Sequence, residues 1–93
     1  MESSNLSQSY LYQNRPNPFS TSTTINYFID GSVQNASIII YDIYGKELKN
    51  YKISSIGEGS ITVNASELTA GTYLYKMVCD GKVVDTKKMV LTD

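Results

Sequence analysis

Histidine and tryptophan are absent from these 93 residues, cysteine occurs once and proline twice. Each shortage excludes something. Without histidine there is no Ser-His-Asp or Cys-His nucleophile and no imidazole metal ligand. One cysteine, Cys79, can form neither an internal disulfide nor a structural zinc site. The formal net charge is −1 and no basic block stands out, so nucleic acid is not expected as a partner. No apolar run approaches the ~20 residues that span a bilayer. Met1-Glu2-Ser3-Ser4 is neither a secretory signal nor a lipidation motif. If the domain works outside a cell, an upstream segment must carry the export signal, and Met1 is then an added start.

The reactive side chains that are present do not assemble into chemistry. The glycines are dispersed and make no phosphate-binding loop. Asp30, Asp42, Asp80, Asp85 and Asp93 fall mostly at turns, where capping backbone N–H groups explains them better than calcium ligation. Nothing suggests two carboxylates facing each other in a cleft. Cys79 continues an apolar face and is expected to be an inert core thiol. No enzyme, no cofactor and no small-molecule substrate are expected.

What is abundant favours strands. Eight residues are Tyr, hydrophobic content is 41%, and Val, Ile and Thr are frequent. A chain this short buries roughly 60–65% of its unfolded surface, enough for one domain. Residues 1–9 are Ser- and Asn-rich and predict a linker or tail, leaving residues 10–93 as the domain. Tyr10 to Gln13 is short enough for a first edge strand. The prolines in Asn14-Arg15-Pro16-Asn17-Pro18-Phe19 exclude helix and predict an ordered extended loop. Phe19 is expected to anchor that loop on the domain.

From Thr23 the chain alternates, with Ile25, Tyr27 and Ile29 on one face. Ala36 to Ile43 is apolar on both faces and predicts a central strand. Asp42-Ile43-Tyr44-Gly45 predicts a turn, with Asp bonding forward and Gly45 free to take positive φ. Glu47 to Ile53 is a weaker strand, which Gly57-Glu58-Gly59 is expected to break. Ile61 and Val63 mark the next strand. Ser66 to Gly71 predicts a single helical or irregular turn. Tyr73, Tyr75, Met77 and Cys79 share a face, Asp80-Gly81 is a two-residue hairpin signal, and the last strand runs from Lys82 to about Leu91.

About seven short strands at this spacing predict an all-β, antiparallel sandwich. Leu68-x-x-Gly71-x-Tyr73-x-Tyr75 sharpens the fold to an immunoglobulin-like one. It matches the tyrosine corner, in which a Tyr hydroxyl reaches upstream backbone, and Tyr75 would fill the space between the sheets.

These segments together resemble a known family, the type A C-terminal sorting domain of the type IX (Por) secretion system of the Bacteroidota. Its opening motif is present as Tyr12-Gln13-Asn14-Arg15-Pro16-Asn17-Pro18-Phe19, followed by Thr23-Thr24-Ile25-Asn26-Tyr27. The middle motif is Ala36 to Gly45, the late one Leu68 to Tyr75, and the basic-then-apolar ending Lys87-Lys88-Met89-Val90-Leu91. The resemblance runs from about residue 11 to 91. It implies a signal domain that carries an upstream cargo in the same chain through the periplasm and the outer-membrane translocon. The cargo would end on the cell surface or outside the cell. Implied partners are the translocon, shuttle and sortase proteins, with a sortase cut at or before the stretch near residues 2–10.

Lys87, Lys88, Met89, Val90 and Leu91 are the expected recognition element, since a last strand at a sheet edge offers unpaired backbone groups. The structural reading of the two lysines is that they protect that edge from aggregation. Asn14, Pro16, Asn17, Pro18, Phe19, Asp42, Gly45, Gly71 and Tyr73 are expected to be motif residues with mainly structural roles. Two other functions fit the composition. An extracellular module binding carbohydrate or a protein would show exposed coplanar tyrosines beside a groove. A spacer or assembly domain would show a large self-complementary apolar patch.

Overall fold

The alternation in the sequence becomes two antiparallel sheets in the computed structural model, which describes residues 8–93. The strands are β1 (Tyr10–Leu11), β2 (Ser22–Ile29), β3 (Ala36–Tyr41), β4 (Glu47–Ile53), β5 (Gly57–Asn64), β6 (Gly71–Cys79) and β7 (Lys82–Leu91). A 3-10 turn covers Ala65–Glu67. One sheet has the order β1-β2-β5 and the other β4-β3-β6-β7, the arrangement of an immunoglobulin-like sandwich. Most of the expected linker lies outside the described residues. Ser9, at its end, is buried and its hydroxyl accepts the Asp30 N–H at 2.9 Å.

Every second residue turns inward. Ile25, Ile29 and Val63 from the smaller sheet meet Ile38, Ile40, Tyr75, Met77 and Met89 from the larger one. Burying one such side chain contributes about 1.5–3 kcal/mol. A slip of one residue in β2 or β6 would turn a whole set of them into water, so the register is strongly fixed. β3 is central, between β4 and β6, and its outward residues Ser37, Ile39 and Tyr41 are half-buried, as its two apolar faces predict.

The turns follow their chemistry. Asp80 and Gly81 both have positive φ, +51° and +83°, as a two-residue hairpin of this hand demands. The Asp80 carboxylate also accepts the N–H groups of Gln34 and Asn35, tying that hairpin to the β2–β3 loop. The Asp42 Oδ1 accepts the N–H groups of Tyr44 and Lys46, each at 2.9 Å. This ends β3 at Tyr41, two residues before the expected Ile43. At the corner before β6 the Tyr73 hydroxyl donates to the Thr69 carbonyl, completing the tyrosine corner.

One expectation is corrected. Gly57-Glu58-Gly59 does not break a strand; it begins β5, which pairs with β2 from Ile29↔Gly57 to Ser22↔Asn64. The reason is the ring of Tyr27, laid across Gly59. A Cβ at that position would stand 2.5 Å from the Tyr27 hydroxyl oxygen. Glycine inside this strand makes room for a cross-strand aromatic side chain.

The topology also separates two ends. Ser9, Asp30, Ala36, Ile53 and Cys79 lie at the end where the chain enters. Tyr41, Glu47, Gly71 and Leu91 lie at the other end, beside the C-terminus.

Candidate recognition surface

Tyr75 organises the opening motif. Its side chain is wholly buried, and a buried phenol needs partners. The hydroxyl accepts the Asn14 N–H and donates to the Tyr12 carbonyl, both at 2.7 Å. Burial pushes this phenol up to about 12, against the Asn14 hydrogen bond, which lowers it, and with a smaller upward push from Asp85. Asn14 is itself 1% exposed. Its amide donates to the Pro16 carbonyl at 3.2 Å and the Thr23 hydroxyl at 3.0 Å, and its oxygen accepts from Gln13 at 2.6 Å. The Thr23 hydroxyl donates in turn to the Pro16 carbonyl at 2.8 Å. The peptide bonds before Pro16 and Pro18 are both cis. These hydrogen bonds pin the loop from inside, and Phe19 enters the core at its far end, 2% exposed.

The same loop then covers the last strand. β7 is an edge strand, so alternate N–H and C=O groups face away from β6. The Gln13 side chain donates to the Lys88 carbonyl at 2.7 Å. The Asn17 side-chain oxygen accepts the Val90 N–H at 2.9 Å. The Phe19 N–H donates to the Val90 carbonyl at 2.9 Å, and the Thr92 N–H to the Phe19 carbonyl at 2.8 Å. Phe19 and Leu91 form a parallel bridge. The motif is a clamp that occupies the edge from Lys88 to Thr92.

The structure divides the expected recognition residues. Met89 is fully buried and Leu91 is 4% exposed, both packed in the core. Their place on the expected surface is corrected by the strand's alternation, which turns these two side chains inward. Lys88 is exposed, while Lys87 and Val90 are half-buried. The Lys87 ammonium pairs with the Asp85 carboxylate at 3.3 Å. The motif residues fall in three places. Asn14, Pro16, Asn17, Pro18 and Phe19 form the clamp on β7. Asp42 and Gly45 (φ +88°) shape the β3–β4 turn, and Gly71 and Tyr73 the corner before β6. The sequence reading named Tyr75 as a space-filler and missed its hydroxyl. The available signal was a phenol on an otherwise apolar inner face, which must find a partner.

Cys79 is buried, and burial raises its thiol above the ordinary range, so at neutral pH it stays protonated and unreactive. Among the described residues no group of three Cys, Asp or Glu could hold a metal ion. No described helix is long and apolar enough to cross a membrane.

Comparison with known proteins follows the same lines. The sequence profile of the secretion system C-terminal sorting domain matches residues 15–92. No curated protein matches the chain. Among solved structures, the dimeric latent PorU of Porphyromonas gingivalis is similar, with a TM-score of 0.76 and 22% identity. That similarity covers 94% of this chain and 9% of the other. The CARDB domain of the PF1109 protein from Pyrococcus furiosus, solved with di-metal ions, is similar with a TM-score of 0.54 and 15% identity. It covers 95% of this chain and 90% of that one. At these identities the two likenesses speak for the sandwich fold.

Proposed function

The chain belongs to the family of secretion-system C-terminal sorting domains, and from that premise we propose how its surface is used. The domain is a sorting signal of the type IX system. It marks a protein for export to the cell surface or beyond, and its family is not a catalytic one.

The proposed recognition element is the surface of β7 next to the clamp, where Lys88 and Val90 face away from the core and Lys87 lies half-buried at the rim of the core-facing side. Met89 and Leu91 act from beneath, by holding that surface in register. The clamp and the strand are one unit, because Gln13, Asn17 and Phe19 occupy the outward backbone groups of Lys88, Val90 and Thr92. That coupling is the observation that carries the proposal, since it explains why an opening motif and a closing strand belong to one signal. The covered edge lies at the end away from the cargo, where a translocon can reach it. Transit through the periplasm, contact with shuttle and sortase proteins, and a cut ahead of Ser9 complete the proposed route. The buried Ser9, held against Asp30, favours a cut before that residue.

An export assay tests the reading. A signal peptide and a fluorescent protein are fused ahead of the chain and expressed in a bacterium with a type IX translocon and in a translocon-deficient strain. Fluorescence in the medium or on the surface, lost without the domain and without the translocon, is expected. Fluorescence held in the periplasm of the competent strain, with the domain folded, would overturn it.

A further inference from the structure

We propose that the outer face of the smaller sheet carries a shallow binding site for a neutral saccharide chain, beside the clamp on β7. The register puts Tyr10, Tyr12, Asn26, Phe28, Glu58 and Ser60 on the face opposite the buried Leu11, Ile25, Ile29 and Val63. Tyr10 and Tyr12 are 53% and 50% exposed. Their centroids stand 6.5 Å apart with the planes tilted by 31°, and Phe28 continues the cluster 6.4 Å from Tyr10. The rings form a nearly continuous apolar strip on a rigid sheet.

Beside the strip, reaching the clamp at Gln13, lies a depression of about 490 Å³, lined by Tyr12, Gln13, Arg15, Asn26, Glu58 and Ser60 among others. The side chains of Arg15 and Glu58 make no hydrogen bond or ion pair among the described residues. Unengaged donors and acceptors therefore converge next to exposed rings. A pyranose fits that combination. Its C–H face stacks on an aromatic face, whose electron density attracts the weakly positive hydrogens. Its hydroxyls both donate and accept. Glu58 can only accept and Arg15 can only donate, while Asn26 and Ser60 do either, so adjacent hydroxyls find complementary partners. One positive and one negative group leave no net local charge, and that balance points to a neutral chain rather than an anionic one.

The test is a titration of the 15N-labelled chain with cellohexaose, with mannohexaose and with trigalacturonic acid, followed by amide chemical shifts. A neutral hexasaccharide is expected to move the amides of Tyr12, Asn26 and Ser60 at millimolar concentration. Tyr12→Ala should weaken the response about tenfold, the size of one lost stacking contact. Glu58→Gln should weaken it as well, while Tyr44→Ala, on the far turn, should leave it unchanged. No shift with either neutral chain, binding of trigalacturonic acid alone, or equal loss with Tyr44→Ala would overturn the proposal. None of these results bears on export.

Discussion

The two halves of the last strand meet the rest of the molecule in different ways. From Lys88 to Thr92 the outward edge is filled by Gln13, Asn17 and Phe19, and the inward side chains Met89 and Leu91 are core. From Lys82 to Lys87 no loop hydrogen bonds of this kind fill the edge among the described residues. There the Thr86 N–H takes the Asp85 carboxylate, Lys87 pairs with the same side chain, and Val83 is 53% exposed. Both halves manage the hazard of an unpaired edge, one by covering it and one by charge. The covered half is the one with apolar residues in alternate positions, which would otherwise offer a template to any passing strand. The difference teaches that the opening motif serves the closing strand, although they stand more than seventy residues apart.

Breaking the covered half at its anchor should have the largest effect. Phe19→Ala should cost ~3–5 kcal/mol in urea unfolding, the usual range for a buried ring lost from a core. A loss below about 1 kcal/mol would mean the ring is not a packing element.

Tyr75→Phe comes next. It keeps the ring and removes the hydroxyl, leaving the Asn14 N–H and the Tyr12 carbonyl without their partner. The expected loss is about 1–3 kcal/mol at neutral pH. The same variant sharpens the comparison through pH. The folded phenol is raised from 10.0 to about 12, so the native state holds its proton more tightly than the unfolded one. The stability tied to this proton is complete below about pH 10 and is lost as pH rises toward 12. Tyr75→Phe should therefore flatten the alkaline fall in stability over that interval. Tyr51, whose phenol is also raised, first by burial and then by Glu67, keeps its own smaller share.

Asn17→Ala is a milder break. It removes the acceptor from the Val90 N–H and should cost about 1 kcal/mol. Hydrogen exchange should speed up at Val90 and leave the Lys82–Lys87 amides as they were, since only one half of the strand is touched. Uniform acceleration along β7 would show that the two halves are one cooperative unit. The smallest changes in stability belong to the two lysines. Lys88→Glu, at an exposed position, should shift unfolding by no more than roughly 0.5 kcal/mol, and Lys87→Glu, at a half-buried one, adds the loss of its ion pair with Asp85, up to about 1 kcal/mol.

Much of this was legible in the sequence because it rests on local rules. The alternation of Tyr73, Tyr75, Met77 and Cys79, the Asp80-Gly81 hairpin, the Asp42 turn and the tyrosine corner each depend on residues close in the chain. Three features were not legible, for the same reason. Gly59 looks like a breaker until Tyr27, more than thirty residues earlier, is laid across the strand. Met89 and Leu91 look exposed beside two lysines, and only the pairing of β7 with β6 turns them inward. The clamp is long-range as well. Nothing local tells Gln13 to reach the Lys88 carbonyl, or Tyr75 to take the Asn14 N–H. The loop's order could be foreseen from its prolines, but its partners could not.

The most direct test of the sorting surface is export of the fluorescent fusion carrying Lys87→Glu and Lys88→Glu, with folding checked by unfolding of the purified variant. If the two lysines belong to the recognised surface, export should fall sharply while stability stays near that of the parent. Export at the parent level, with the domain equally stable, would contradict this and leave the lysines as guards of the strand's edge.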